Sequence, residues 1–216
     1  RGVGGGELMW VEWREERGRK GTGSVHRGEG STKGVISAAK GKRVHGRLDR
    51  QFEQREVSKE YRAIVWGNPQ FDSDFIETHL RVHPLAREKM QVCTPTGNSR
   101  EAVTYYEVLE RFEKAAYVKM LPKTGRTHQL RVHMQHLGHS LLADSMYGGR
   151  DSVCASDLGI QSSGSDTLIA RHALHAYRLA FDHPRTNERM EFEAPLAADF
   201  SLTLDCLRSG RVDSEH

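Results

Sequence analysis

Apolar positions change spacing several times along the chain, and each spacing predicts an element. Val44, Leu48 and Phe52 recur every fourth residue across 42–56, with Arg, Asp and Gln opposite, so a helix with one buried side is expected. Lys59, Glu60 and Tyr61 lead into Ala63-Ile64-Val65-Trp66, a short buried strand that Gly67-Asn68-Pro69 stops. Residues 70–89 are polar and punctuated by proline, and no element is assigned to them. Segments 103–109 and 116–121 read as neighbouring strands paired through the connection at 110–115, and 150–168, rich in Ser, Gly and Asp, as a surface excursion. Tyr177, Leu179 and Phe181, then Met190, Phe192 and Ala194, alternate with polar or small residues on either side of a turn-rich stretch at 182–187. That pattern predicts an antiparallel hairpin with one buried face. Phe200, Leu204 and Leu207 place a last helix at about 198–208, stopped at Gly210. Strand pairs in this order with helices beside them make an α+β domain rather than a doubly wound array.

The stretch 123–149, KTGRTHQLRVHMQHLGHSLLADSMYGG, concentrates the candidate chemistry. Thr124-Gly125 predicts a tight turn, Thr127 a hydroxyl cap for the helix that follows, and Gly138 its stop. Leu130, Met134 and Leu137 form an apolar face at i, i+4 and i+7; Arg131 lies off that stripe, and on spacing alone is a surface charge. Arg126 stands beside a helix N-terminus, where unpaired backbone N–H groups and the dipole favour an anion, so this turn is a candidate phosphate or carboxylate site. His128, His133, His136 and His139 invite a metal reading. His128 is off the shared face, however, and no Asp, Glu or Cys completes a ligand set, so no metal is expected.

Composition narrows the class without naming a function. At 216 residues, with 37% hydrophobic and 28% charged, the chain can form one sizeable core. No apolar run approaches the ~20 residues of a membrane-spanning helix, so no membrane partner is expected. Three cysteines, an odd number, lie far apart without a CxxC pair, which suits a reducing compartment: the cytoplasm, or an organelle matrix in a eukaryote. A net charge of +3 does not by itself mark a nucleic-acid binder, because clustering decides more than the total. Residues 1–24 are rich in Gly, Arg and Glu and are expected to be a poorly ordered leader, with Trp10 and Trp13 spaced for one helical turn. The domain is expected at 25–208 and a tail at 209–216. GEGSTKG at 28–34 has the glycines of a flexible phosphate cradle, but the GxxxxGK[ST] spacing of a nucleotide loop is missing.

Larger strings carry a resemblance. QFEQREVSKEYRAIVWG at 51–67, PLAREKMQV at 84–92, AVTYYEVLERF at 102–112 and TGRTHQLRVHMQHLGH at 124–139 are followed by ADSMYGG at 143–149, ALHAYRLAFDHPRT at 173–186 and FEAPLAADF at 192–200. In this order and spacing the chain resembles the RluA-type RNA pseudouridine synthases from about residue 25 to 200. The resemblance implies the pseudouridine synthase fold, a mixed or antiparallel sheet with flanking helices. It also implies conversion of uridine to pseudouridine in structured rRNA or tRNA: the N-glycosidic bond breaks, the base rotates, and it is rejoined through carbon. No cofactor and a mostly monomeric catalytic domain are implied as well. The target base has to leave its stack to be reached.

Two registers are available for the family's catalytic aspartate. Arg47-Leu48-Asp49 has the look of its RLD, but Asp49 is three residues before Phe52, closer than the family pattern, and falls inside the expected helix, facing solvent. A gapless register instead aligns Val25-His26-Arg27, then Thr32, Gly34-Val35, Ala39-Lys40, His45 and Leu48, and puts Glu29 at the catalytic position. The carboxylate then sits on a stem one methylene longer, between Gly28 and Gly30, and the family's TSG becomes Thr32-Lys33-Gly34, so activity is expected to be weak or lost. The N-terminal strands of the family are not recognisable upstream, so part of the catalytic sheet is expected to be absent. By the same resemblance Arg27 helps displace the target base, Tyr61 packs on the uracil, and Arg131 pairs with the catalytic carboxylate beside Leu130. Arg126 and His128 are candidates for RNA phosphate contact. The alternative is an inactive fold that retains its RNA surface and serves ribosome assembly or RNA chaperoning.

Overall fold

Among the described residues, three α-helices and eleven strands follow the periodicities in most places and depart from them where burial is shared with polar partners. The computed structural model describes residues 9–14, 32–39, 42–160 and 167–212. In chain order the elements are β1 (Met9–Arg14), β2 (Lys33–Ala39), α1 (Lys42–Glu53), β3 (Ser58–Trp66), β4 (Ser73–Val82), β5 (Met90–Cys93), β6 (Arg100–Arg111) and β7 (Ala115–Pro122). They continue with α2 (Gln129–His136), β8 (Val153–Cys154), β9 (Thr167–Ile169), β10 (Leu174–Asp182), β11 (Arg189–Glu193) and α3 (Ala198–Val212). Parallel and antiparallel pairings together with these helices give the α+β class expected.

The chain divides into two compact units, one made of residues 1–61 and 175–197, the other of 62–174 and 198–216. In the first, β1 pairs antiparallel with β2, β2 parallel with β10, and β10 antiparallel with β11. Helix α1 buries Val44 and Leu48 among Val35, Val57, Leu179, Phe181 and Ala194, with Phe52 and Phe192 at the margin. Phe181 and Phe192 stack at 5.7 Å between centroids. Gln51 ties the helix to the hairpin turn, donating to the Asp182 carbonyl at 2.8 Å and accepting its N–H at 2.9 Å. Gly34 has φ +119, and a Cβ there would lie 2.1 Å from the Ala176 carbonyl oxygen, so only glycine lets β2 and β10 approach this closely.

The second unit carries an antiparallel sheet in the order β7-β6-β4-β5. Val132 of α2 packs with Leu80, Ala102 and Tyr147 on one face of that sheet, flanked by Met90, Val92 and Met146. Helix α3 buries Phe200, Leu204 and Leu207. It is also fixed by an Arg171–Asp199 fork at 2.7 and 2.8 Å and an Arg208–Glu110 fork at 3.1 and 2.6 Å.

Four expectations are corrected. Met9–Arg14 is not leader but a strand, and its alternation of Val11 and Trp13 with Glu12 and Arg14 is a period of two, not a helical turn. Residues 70–89 contain the ten-residue β4, in which only Ile76 and Leu80 are fully buried, too sparse an apolar signal to stand out. The 28–34 stretch gives way at Lys33 to β2. Helix α3 runs through Gly210, whose cost in a helix is only about 1 kcal/mol.

Candidate active site

The turn before α2 is organised by one side chain. Gln129, 3% exposed, accepts from the Thr124 hydroxyl at 2.7 Å and from the Arg126 N–H at 2.9 Å. Its amide nitrogen donates to the Val103 carbonyl at 3.0 Å and to Thr104 Oγ1 at 2.9 Å. Thr127 makes no cap. His128 occupies the N-cap position in a left-handed conformation, φ 54, without a side-chain cap bond, and Gln129 serves the turn instead.

Behind that turn lies a second polar chain. His133 is fully buried, its Nδ1 2.9 Å from Thr104 Oγ1 and its Nε2 2.9 Å from Thr78 Oγ1. Each hydroxyl can donate or accept, so the neutral ring is satisfied in either tautomer. Burial, then the neighbouring His136, pushes its pKa down to about 4.

Arg131 is 6% exposed, which corrects the surface reading of its spacing. Its Nε donates to Asp144 Oδ2 at 2.7 Å and its Nη2 to Asp144 Oδ1 at 2.6 Å, a bidentate fork, while the guanidinium lies 4.9 Å over the Tyr147 ring. Asp144 is 1% exposed and also accepts from the Met146 and Tyr147 N–H groups at 3.1 and 3.0 Å. Burial alone would raise the Asp144 pKa; the Arg131 hydrogen bonds and charge and the Tyr147 amide outweigh it, so the carboxyl is held below its ordinary value and ionised. Ala143, just before it, has φ 52, a conformation uncommon for a residue with a Cβ.

Tyr147 extends the cluster. Its Oη accepts from the Met90 N–H at 2.8 Å and lies 2.8 Å from His128 Nδ1, the two rings meeting edge-on at 5.6 Å. Burial, then the charge of Arg131, lowers the His128 pKa, with Asp144 opposing. Buried His172 is pushed down to about 4, by burial first, then Arg131. The result is one buried cation on one buried anion among neutral imidazoles, a site that presents oriented hydrogen-bond donors.

Of the residues expected to act, Leu130 and Arg131 stand on α2, His128 at its cap, and Arg126 in the turn, its Nε donating to the Glu101 carbonyl at 2.9 Å. Tyr61 is buried in β3, within the first unit. Arg27 and Glu29 lie outside the described residues. Asp144, Tyr147, Gln129 and His172 were not singled out by spacing; Asp144 and Tyr147 fall inside the string ADSMYGG, and Asp144 is a lone acid directly after the apolar Leu141-Leu142-Ala143, but no role was expected of either. Among the described residues no group of three or more His, Cys, Asp or Glu gathers as metal ligands. His128, His133 and His139 turn to Tyr147, to two threonines and to the Trp66 carbonyl respectively.

Comparison with known proteins gives this arrangement a family. Residues 11–136 match the family described as RNA pseudouridylate synthase. An RNA pseudouridine synthase of Chlorobaculum parvum is 38% identical over 199 residues, covering 89% of this chain and 60% of that protein. Ribosomal large subunit pseudouridine synthase D of Neisseria meningitidis is 40% identical over 186 residues, covering 86% of this chain and 48% of that protein. The chain thus spans roughly half to three fifths of the length of these relatives. The solved structure of human RNA pseudouridylate synthase domain containing 4 superposes with a TM-score of 0.69 at 27% identity, covering 86% of this chain and 75% of that one. A turn and helix carrying TGRTHQLRVH, a buried arginine on that helix, and relatives at this level of identity have one reading: the chain belongs to the RNA pseudouridylate synthase family, and within it to the RluA type.

Proposed function

We propose that the protein converts uridine to pseudouridine in structured RNA, with large-subunit ribosomal RNA as the substrate class that the names of its relatives favour. The observation that carries this reading is the α2 arginine, buried and fixed by a bidentate fork on Asp144, a basic group oriented to serve a carboxylate. In the reaction the N1–C1′ bond of the uridine breaks, the uracil turns, C5 bonds to C1′, the C5 hydrogen leaves to solvent as a proton and N1 takes one up; no outside oxidant or reductant is needed. Glu29 supplies the carboxylate that acts at the sugar as nucleophile or base. Tyr61 packs on the uracil, Arg27 helps displace the target base, Arg131 orients the carboxylate beside Leu130, and Arg126 and His128 meet phosphate. The protein works as a monomer, without a cofactor, in a reducing compartment.

Glutamate in place of aspartate favours a second reading, an RNA-binding protein without turnover, because a reacting group displaced by about 1 Å can cost ~10²-fold. Tritium release from RNA labelled with [5-³H]uridine separates the two. The native protein releases tritium slowly, Glu29→Asp faster, and Glu29→Gln not at all. No release from native protein that still binds RNA selects the second reading, and release by Glu29→Gln at the native rate removes Glu29 from the mechanism.

A further inference from the structure

The geometry points to Asp144 and Tyr147 as positioning residues for Arg131, an inference that rests on the pseudouridine synthase reading above. A guanidinium on a flexible stem can swing in its own plane or tilt out of it. The first motion is stopped by the fork, Nε on Asp144 Oδ2 at 2.7 Å and Nη2 on Oδ1 at 2.6 Å. The second is stopped by the Tyr147 ring lying under the guanidinium at 4.9 Å. With two nitrogens and one face fixed, the place of Nη1 follows from the planarity of the group.

Each support is itself anchored. The Asp144 carboxylate is held by the N–H groups of Met146 and Tyr147, and its backbone carbonyl accepts the Gly148 N–H at 2.7 Å. A Cβ at position 148 would come 3.0 Å from that same carbonyl oxygen, so a glycine suits this tight turn. The Tyr147 hydroxyl is tied to the start of β5 through the Met90 N–H and to the cap of α2 through His128 Nδ1. Arg131 is thereby referenced to the sheet, to its own helix and to the 144–148 turn at once.

Asp144 has a second effect. Its negative charge compensates Arg131 within the buried pair, so what Arg131 offers a reacting carboxylate is direction more than net positive charge. Without that compensation, the groups that face Arg131 feel a bare cation. These include His128 and His172, each already lowered in part by its charge. The carboxylate that Arg131 serves would then ionise at lower pH.

The test uses the whole chain, large-subunit ribosomal RNA labelled with [5-³H]uridine, and ¹⁵N spectra of the arginine Nε–H groups. In Asp144→Asn, kcat falls about 10²-fold with KM nearly unchanged, the acid limb of the kcat profile moves to lower pH, and the protected Nε–H signal of Arg131 is lost. Asp144→Glu restores part of kcat, and Tyr147→Phe, which keeps the ring and removes only the hydroxyl anchors, lowers kcat less than Asp144→Asn does. If Asp144→Asn does not fold, Tyr147→Phe and Asp144→Glu carry the test on the same readouts. A folded Asp144→Asn with kcat within about threefold of native and an unmoved acid limb overturns the inference. Native protein that releases no tritium overturns the function reading instead. The clamp is then judged on the Nε–H signal, which overturns it by persisting in Asp144→Asn and upholds it by vanishing.

Discussion

Helices α1 and α2 bury comparable stretches of chain by opposite means. In α1 an apolar stripe of Val44, Leu48 and Phe52 meets an apolar core, and Arg43, Arg47 and Arg50 stay outside. In α2 every residue from Gln129 to Met134 is buried, and Gln129, Arg131 and His133 among them are polar. The first arrangement is stabilised by area removed from water and tolerates any residue of suitable shape. The second is stable only because each polar group has a named partner, so it is intolerant of small chemical changes. The family string TGRTHQLRVH runs into the second kind of helix, where side chains are held by bonds of fixed direction.

The comparison breaks hardest at Asp144. Asp144→Ala leaves Arg131 charged, buried and without its fork, and about 3–5 kcal/mol of stability is expected to be lost, read from the urea midpoint. In α1 the comparable insult is Leu48→Ala, which empties a fully buried position and should cost about 3 kcal/mol. The two then differ in pattern: isosteric Leu48→Met restores most of the loss, whereas Asp144→Asn, equally isosteric, does not.

Acid sharpens the same contrast. His133 and His172 titrate near 4 in the folded protein and near 6.5 when unfolded, so between those values the unfolded chain binds more protons and stability falls as pH falls. From pH 7 to 5 each imidazole is expected to cost about 1–2 kcal/mol. Asp144, with its pKa depressed, keeps its contribution throughout this window and loses it only at lower pH. Urea midpoints that stay level between pH 7 and 5 would contradict this account of α2 and its neighbours.

What the sequence disclosed follows the same division. The α1 stripe was legible because its burial follows the helical period, and β6 and β11 because theirs alternates. Their partners β7 and β10 are buried over runs of several residues and were legible as apolar, strand-forming segments set off by turns. Strand β4 was not: Phe75 is 51% exposed and pairs with Tyr105 on the outer face, while buried Leu80 is separated from Ile76 by Glu77, Thr78 and His79. Arg131 was misplaced by spacing because its solvation is replaced by Asp144, thirteen residues on, which no local period can report. The family strings located α2 and its arginine; they did not say that Gln129 folds the turn or that Tyr147 lies beneath the guanidinium.

The smallest expected effect concerns Asp49, the other candidate for the catalytic carboxylate. It lies in the last part of α1, its side chain 42% exposed, paired with His45 at 2.6 Å across one turn. An exposed i,i+4 pair stabilises a helix by only about 0.2–0.5 kcal/mol. The acid here also stands toward the C-terminus, where the helix dipole disfavours a negative charge by a similar amount. The two effects oppose one another, so Asp49→Asn is expected to shift stability by less than about 0.5 kcal/mol. It is also expected to leave tritium release unchanged, because a side chain on the outer face of an amphipathic scaffold helix has no part in a site that depends on fixed donors. A loss of release in Asp49→Asn with the urea midpoint intact would move the catalytic carboxylate from Glu29 to Asp49, and would make α1 as much a chemical helix as α2.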